Sequence, residues 1–400
     1  MDGLVYSEII YTAKSKRFGI IGYFVIDRLI NGSSYGGIRI VPDISLSELQ
    51  SVARSMTYKN AFIGNRTGGA KAAVIISKEN EKFRKDILIE FGKCISPFIK
   101  DGMYIPVLDM GISIEELQII FDAAEYRCHI LSWKNMSHEY TAYTCFFATM
   151  CALEKKGISI KDTTFSVQGF GNVGSTYATL MSKAGANLVA LSNRYTGIIN
   201  RKGFNVDQLI KERYVKGDDF ILTRPTIEMV SHDSVLEEDV TVLLPSSNAL
   251  TINDENWKRI KADIIVCAAN APMSYDIERL LFNNGKIIIT DFIANCGGIL
   301  GSRIDNYVTK DIILYIISTA YKRKIDTLLY QSIKSNMPLV DMVIDDVEKR
   351  IDTDYTCANL NGKLTDKLIY LSSSNISPIR KIAQMYMSKK CISIYEKLWS

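Results

Sequence analysis

The stretch that begins at Thr164 constrains the fold more than any other. Thr164-Phe165-Ser166-Val167-Gln168 is an apolar run of strand length. Gly169-Phe170-Gly171-Asn172-Val173-Gly174 follows with the spacing GxGxxG. A helical stretch over 175–184 and a second apolar run, 186–192 (ANLVALS), come next. Strand, glycine turn, helix and strand in that order form a βαβ unit. Its glycines supply a tight turn, close backbone approach to a pyrophosphate and close helix packing, with the phosphates at a helix N-terminus. Short apolar runs recur at 239–244 (DVTVLL), 263–268 (DIIVCA) and 286–291 (KIIITD), as a doubly wound parallel sheet requires.

The end of the second strand decides which dinucleotide fits. An acid there holds the ribose 2′-hydroxyl of NAD. This chain has Asn193 and then Arg194, with Arg201 and Lys202 nearby in sequence. Loss of the carboxylate removes repulsion against a 2′-phosphate, and Arg194 is a candidate to bind one. The cofactor is therefore expected to be NADP or NAD, with NADP favoured. The alternative stays open, that Asn193 bonds a 2′-hydroxyl and Arg194 is solvated.

The N-terminal part mixes strands and helices. Residues 18–30 and 35–40 read as extended, and Ser45 with Glu48 has the capping-box spacing at the head of a helix leading to Lys59. Gly68-Gly69 then reads as a break, with Lys71 in a small-residue loop before a strand from Val74. A lysine with so little bulk around it is open to close approach by a substrate. A second lysine nearby would depress its pKa. A helix over 81–98 is expected to stop near Pro97, and 104–111 is a short strand ending at Asp109. Arg39, Lys59, Lys71 and Asp109 thus fall near element ends.

Composition narrows the function classes. The net charge of +4 comes without a dense basic block, so neither nucleic acid nor an acidic membrane is an expected partner. The eight cysteines form no CxxC and there are three histidines, so no metal site or disulfide framework is expected, and a cytoplasmic setting fits. The first residues lack a signal-peptide pattern, and the apolar run 18–26 is too short to span a bilayer.

GGIR (36–39), MTYKNA (56–61), GGAKAA (68–73), DMG (109–111), TAY (141–143), GFGNVG (169–174), ANAP (269–272) and ANCGG (294–298) occur together and in order. In this the chain resembles the glutamate/leucine/phenylalanine/valine dehydrogenase family over roughly residues 5–352. The resemblance implies an NAD(P)-dependent amino-acid dehydrogenase, which interconverts an L-amino acid with a 2-oxo acid and ammonia. It implies Lys71 and Asp109 as catalytic groups, Lys59 on the substrate carboxylate, and Gly36 and Gly37 as backbone lining. Gly169 to Gly174 (with Phe170, Asn172 and Val173 between), Thr141, Asn193, Arg194, Asn270 and Asn295 would hold the cofactor. It further implies a homo-oligomer and a cleft that closes by bending near 132–145 and 295–310.

The expected architecture is α/β: an N-terminal mixed α/β substrate-binding and oligomerisation domain (1–138), a Rossmann NAD(P)-binding domain (139–305), and C-terminal helices (306–400) returning to the hinge. The tail 352–400 has no counterpart in the resemblance; LTDKLIYLSS (364–373) and the stretch from Ile379 read as helical. Two departures touch the cofactor region. Thr144 replaces a glycine after TAY, and Cys267 replaces an acid before ANAP. On the substrate side, the glutamate-specific members carry a lysine where this chain has Tyr35. The other position that contacts a γ-carboxylate, Ser302, is retained. A neutral aliphatic or aromatic substrate is therefore expected over glutamate. Glutamate dehydrogenase and a non-catalytic nucleotide-binding relative remain the alternatives.

Overall fold

The computed structural model describes residues 8–127, 137–222, 227–305, 308–352 and 377–399. The expected helix at 364–373 and the hinge residues 132–136 and 306–307 lie outside them. The chain forms two compact units. The first holds residues 8–127 with 347–352. The second holds the described residues between 137 and 346 with 377–399. The block 306–400 is thus divided between the two units.

In the first unit, β1 (Ile9–Ser15), β2 (Gly19–Ile26), β3 (Ser34–Val41), β4 (Gly68–Ile75) and β5 (Tyr104–Leu108) form one sheet in the order β1-β2-β4-β3-β5. The β1–β2 and β2–β4 pairs are antiparallel, and β3 runs parallel to both β4 and β5. Side chains alternate across the sheet, as the two-residue strand period dictates. Phe24, Ile26, Ile38, Ile40, Ala70, Ala72 and Val74 face one layer, where they meet Phe91 and Ile95 of helix α2 (Arg84–Lys100) and Leu117 and Ile120 of α3 (Ile114–Ala123). Val25 and Ala73 face the other, against Leu49 and Ala53 of α1 (Leu46–Phe62).

Lys71 therefore lies on a strand inside the sheet, and the expected loop is absent. The sequence reads as a break because Gly-Gly-Ala-Lys-Ala-Ala has little strand propensity. Close packing is what demands those residues. A Cβ at Gly69 would stand 2.2 Å from Thr57 N and 2.3 Å from Ala53 O of α1. The helix can lie this close to β4 only over glycine. Two smaller expectations also change. Ser45 accepts from Glu48 N at 3.1 Å, but Glu48 turns its carboxylate to Arg39, so the box stays half closed. Helix α2 runs through Pro97 to Lys100; the proline gives up its bond to the carbonyl one turn back, and only three more helical residues follow it. A complete capping box is formed by Ser113 and Glu116, at the head of α3.

The second unit opens with α4 (Ser137–Lys156) and then the βαβ unit, β6 (Thr164–Gln168), α5 (Asn172–Ala184) and β7 (Asn187–Ser192). The seven-stranded sheet has the order β12-β11-β10-β6-β7-β8-β9. Its remaining strands are β8 (Gly197–Ile199), β9 (Glu228–Val230), β10 (Val242–Pro245), β11 (Ile264–Val266) and β12 (Ile287–Ile289). The five from β12 to β7 are parallel, while β8 and β9 extend the edge antiparallel. The order reverses between β6 and β10, so the crevice beyond their carboxyl ends is the ligand position of this architecture. Helices α6 (Val206–Lys216), α7 (Tyr275–Asn283), α8 (Asp291–Ala294), α9 (Gly297–Ile304), α10 (Lys310–Ile316), α11 (Lys322–Ser335) and α12 (Leu339–Asp352) follow, then the C-terminal helix Ser377–Leu398. Among the described residues no helix is long and apolar enough to cross a membrane.

Candidate functional site

In the first unit the chemistry gathers on the α1 face of the sheet. Lys71 of β4 is 2% exposed, and its Nζ lies 2.6 Å from Asp109 Oδ2, just past the end of β5. Arg39 of β3 donates from Nε to the same oxygen at 2.9 Å, and its other end lies 3.6 Å from Glu48. Lys59, on the last turn of α1, is buried near Lys71. Four residues far apart in sequence thus converge, and Arg39, to which the sequence reading gives no role, is the hub of the cluster.

Two glycines make the room. The β3–β4 ladder pairs Ser34 and Tyr35 with Gly68 and Gly69, skips Gly36 and Gly37, and resumes at Ile38–Ala72. A Cβ at Gly37 would come within 2.7 Å of the Asp109 Cβ, and one at Gly36 would overlap Ala70 O. The Gly36 carbonyl accepts from the buried Tyr104 hydroxyl at 3.0 Å. Tyr35 is half-buried beside Tyr104.

The charges set the protonation states. Burial pushes the Lys71 ammonium down, Asp109 pulls it back, and Arg39 and Lys59 push it down again, to about 8. Burial alone would raise Asp109, but Lys71 and Arg39 hold it well below the usual carboxylate range. Near neutrality the pair is a carboxylate beside a lysine that gives up its proton readily.

In the second unit the glycine loop has the form its spacing predicts. Gly169 adopts φ +92°, and a Cβ at Gly174 would stand 2.3 Å from Gly169 O. A Cβ at Gly171 would meet open space, so this is where a ligand can approach the backbone at the N-terminus of α5. Ser246, just past β10, donates to Gln168 O and Gly169 O at 2.9 and 2.8 Å and ties the loop to the opposite side of the crevice. Phe170 turns its ring inward onto Phe220, leaving its backbone to the loop.

Asn193 is engaged by its own chain. Its Oδ1 accepts from Tyr195 N and Thr196 N at 2.9 and 3.1 Å, and its Nδ2 donates to Asp218 O at 2.5 Å. Arg194 is 70% exposed and directs Nε and Nη2 to a single oxygen of Asp218 at 2.7 and 2.6 Å. Asp218 comes from the turn after α6 and no motif marks it; only a structure finds it.

Asn295 donates from Nδ2 to the carbonyls of Ala268 and Ala269 at 3.1 Å each and to Asn270 Oδ1 at 3.2 Å. Its Oδ1 is buried with no hydrogen-bond partner, as is Ser247 Oγ beside the glycine loop. An orphaned acceptor of this kind fits the carboxamide N–H of a nicotinamide, and the open Gly171 fits a pyrophosphate. Asp291 accepts from Ala271 N at 2.8 Å and so holds the ANAP turn, where Ala271 takes the left-handed φ of +47°.

The Thr144 departure is absorbed locally. Its hydroxyl accepts from Gly297 N at 3.3 Å, and Cys145 donates its thiol to Ala294 O at 3.3 Å. Cys267 is fully buried near Glu278 and Asp291, and burial raises both the thiol and the Glu278 carboxyl. Thr141 bonds Ser137 O within α4 and packs against Gly298. Ser302 is exposed on α9 and donates to Ile299 O at 3.2 Å.

The second unit carries a doubly wound sheet with a dinucleotide loop at its switch point, and the first unit carries a buried Lys–Asp pair; these are the parts of a dinucleotide-dependent enzyme. Residues 134–337 match Glutamate/Leucine/Phenylalanine/Valine dehydrogenase, and 10–126 match Glu/Leu/Phe/Val dehydrogenase, dimerisation domain. The chain belongs to this family and is an NAD(P)-dependent amino-acid dehydrogenase. It is 30% identical over 299 residues to the Glutamate dehydrogenase of Thermotoga maritima, covering 70% of each chain. It is 27% identical over 301 residues to the NADP(+)-dependent glutamate dehydrogenase of Pyrobaculum calidifontis, covering 71% of this chain and 72% of the other. The fold matches the hetero-hexameric glutamate dehydrogenase of Thermus thermophilus in its Leu-bound form, with a TM-score of 0.72 and 16% identity over 86% of this chain and 88% of that one. L-tryptophan dehydrogenase from Nostoc punctiforme matches with a TM-score of 0.58 and 20% identity over 86% and 96%.

Proposed function

We propose that the chain interconverts a neutral aliphatic or aromatic L-amino acid with its 2-oxo acid and ammonia, using Lys71 and Asp109 as the catalytic groups. The observation that carries this reading is the buried Lys71–Asp109 contact on the α1 face of the sheet. Lys59 binds the substrate carboxylate. Asp109, held as a carboxylate by Lys71 and Arg39, takes a proton from the substrate ammonium, because a deprotonated amine must precede loss of hydride. The nicotinamide, when bound, accepts that hydride. The uncharged form of Lys71 then removes a proton from the water that attacks the substrate iminium. The resulting lysinium stabilises the developing oxygen charge. The carbinolamine then collapses: Asp109 returns its proton to the amine nitrogen, the C–N bond breaks and ammonia leaves, while the carbinolamine hydroxyl gives its proton to solvent and becomes the 2-oxo carbonyl. Arg39 is the positioning residue, keeping Asp109 turned towards Lys71.

The cofactor groups are the loop Gly169–Gly174 through its backbone, Thr141, Asn193, Arg194, Asn270 and Asn295. We read the cofactor as NADP in preference to NAD. Arg194 at the end of β7 supports this, as does the NADP(+) dependence in the name of the Pyrobaculum relative. The working form is a cytoplasmic homo-oligomer, supported by the match over 10–126 to a segment described as a dimerisation domain.

Tyr35 supports the choice of substrate. A γ-carboxylate brought there without a cation costs several kcal/mol, while the phenol ring suits an apolar side chain. Ser302 and the names of the curated relatives favour the second reading, glutamate. The test is NAD(P)H oxidation with ammonia and 2-oxo acids, run with both cofactors. We expect 2-oxoisocaproate or phenylpyruvate to be turned over with the higher kcat/KM. A tenfold advantage for 2-oxoglutarate selects glutamate, and no oxidation with any acid removes the enzymatic reading.

A further inference from the structure

We propose that Tyr321 and Trp399 are positioning residues for the nicotinamide half of the cofactor site: the C-terminal helix clamps Tyr321, and the Tyr321 hydroxyl fixes the Ile293 peptide two residues before Asn295. The inference rests on the dehydrogenase reading above and extends it to a part of the chain beyond residue 337, where the family match stops.

Segment 291–297 carries Asn295, yet much of its backbone is held by side chains. Helix α8 is four residues long, so its last carbonyls have no partner within the helix. Ala294 O takes the Cys145 thiol, and Gly297 N is received by the Thr144 hydroxyl at 3.3 Å. Ile293 O takes the Tyr321 hydroxyl at 3.1 Å, beside backbone contacts from Asn295 N and, at a long 3.5 Å, from Cys296 N. Tyr321 is fully buried, and burial raises its phenol well above the usual range, so it remains a donor at any working pH.

What aims Tyr321 is unusual. It ends a five-residue π turn, Ile317–Tyr321, between α10 and α11. One extra residue in a turn moves everything after it by about 100° around the helix axis, and such turns often persist where a side chain must be re-aimed for function. The turn is buttressed from outside. The ring of Trp399 stands edge-on to Tyr321 at 5.8 Å, and Tyr395 packs on Trp399 at 5.2 Å. Met387, Cys391 and Tyr395 on one face of the C-terminal helix are buried, as is Trp399 just past its end, so this face is part of the unit's core. A buried aromatic pair holds its geometry beyond simple area burial, and here that geometry ends on a hydroxyl pointed at the segment that carries Asn295.

The test uses the full chain with Tyr321→Phe, Trp399→Ala and Trp399→Phe. Binding of NADPH and NADH is compared by calorimetry with binding of the matching ADP-ribose fragments, which lack the nicotinamide. Amide exchange over 291–297 is measured without cofactor. We expect Tyr321→Phe and Trp399→Ala each to weaken whole-cofactor binding about tenfold, to leave the fragments within twofold, and to speed exchange at 291–297. Trp399→Phe should restore both. Tyr321→Phe keeps the ring and its packing, so it remains informative if Trp399→Ala does not fold. Unchanged whole-cofactor binding in Tyr321→Phe, or an equal loss for the fragments, overturns the proposal. A wild-type chain that binds neither cofactor nor fragment removes the dehydrogenase reading instead; unchanged exchange at 291–297 then still overturns the clamp.

Discussion

Asp109 Oδ2 lies 2.6 Å from Lys71 Nζ, and Lys71 comes from the interior of the sheet while Asp109 comes from just past its edge strand. Removing either group should stop the chemistry without emptying the dinucleotide site. Lys71→Ala and Asp109→Asn are expected to lower kcat by at least about a hundredfold. Calorimetric titration should find NADPH still bound by both variants. Turnover like that of the wild type in either one would remove the mechanism.

Under the proposed mechanism, the Lys71 pKa of about 8 gives the reaction a pH dependence of definite sign. Below that value the lysine holds its proton and cannot take one from water. For deamination, kcat/KM should therefore fall about tenfold for each pH unit below 8 and level off above it. Stability should follow the same direction. A lysine whose folded pKa lies below its unfolded 10.5 binds fewer protons when folded, so the fold gains stability as pH rises from about 8 towards 10.5. Lys71→Met should abolish that difference in urea midpoint relative to the wild type.

The GxGxxG stretch announces β6, α5 and β7 because strand, turn and helix signals agree locally. Lys59, Lys71 and Asp109 are legible through their motifs. What stays hidden depends on partners distant in sequence. The strand character of Gly68–Ile75 comes from its neighbours in the sheet and from α1, against its own propensity. Arg39 becomes the hub only when β3 and β5 lie side by side. Asp218 meets Arg194 through a turn without a motif, and Trp399 meets Tyr321 through a tail whose apolar helical positions predict packing against the body or a neighbouring subunit but not the surface it meets.

Arg194 is paired with Asp218, and a 2′-phosphate would have to compete with that carboxylate. Asp218→Asn should free the guanidinium and tighten NADPH relative to NADH by about fivefold, the scale of one charge-assisted bond at an exposed site. Arg194→Ala should erase any NADPH advantage. Equal affinities for the two cofactors in the wild type would overturn the NADP reading.

Tyr35 gives a direct test of side-chain preference. Tyr35→Lys should raise kcat/KM for 2-oxoglutarate by at least about tenfold, since an unpaired carboxylate gains a cation, and should lower it for phenylpyruvate. No change in the ratio would mean that the side chain of the substrate lies elsewhere.

Lys71 belongs to a strand flanked on both sides by other strands and covered by helices on both faces. Loops can melt away from a rigid body at temperatures where the body survives, and enzymes built on them lose turnover long before they lose structure. Here the Lys71 amine, the proposed reactive group, has no such private transition. Its loss requires the interior ladder of the sheet to part, so the warming curve for turnover should overlay the curve for secondary structure in the first unit. The temperature range of the enzyme is then set by the cohesion of the β2–β4–β3 core.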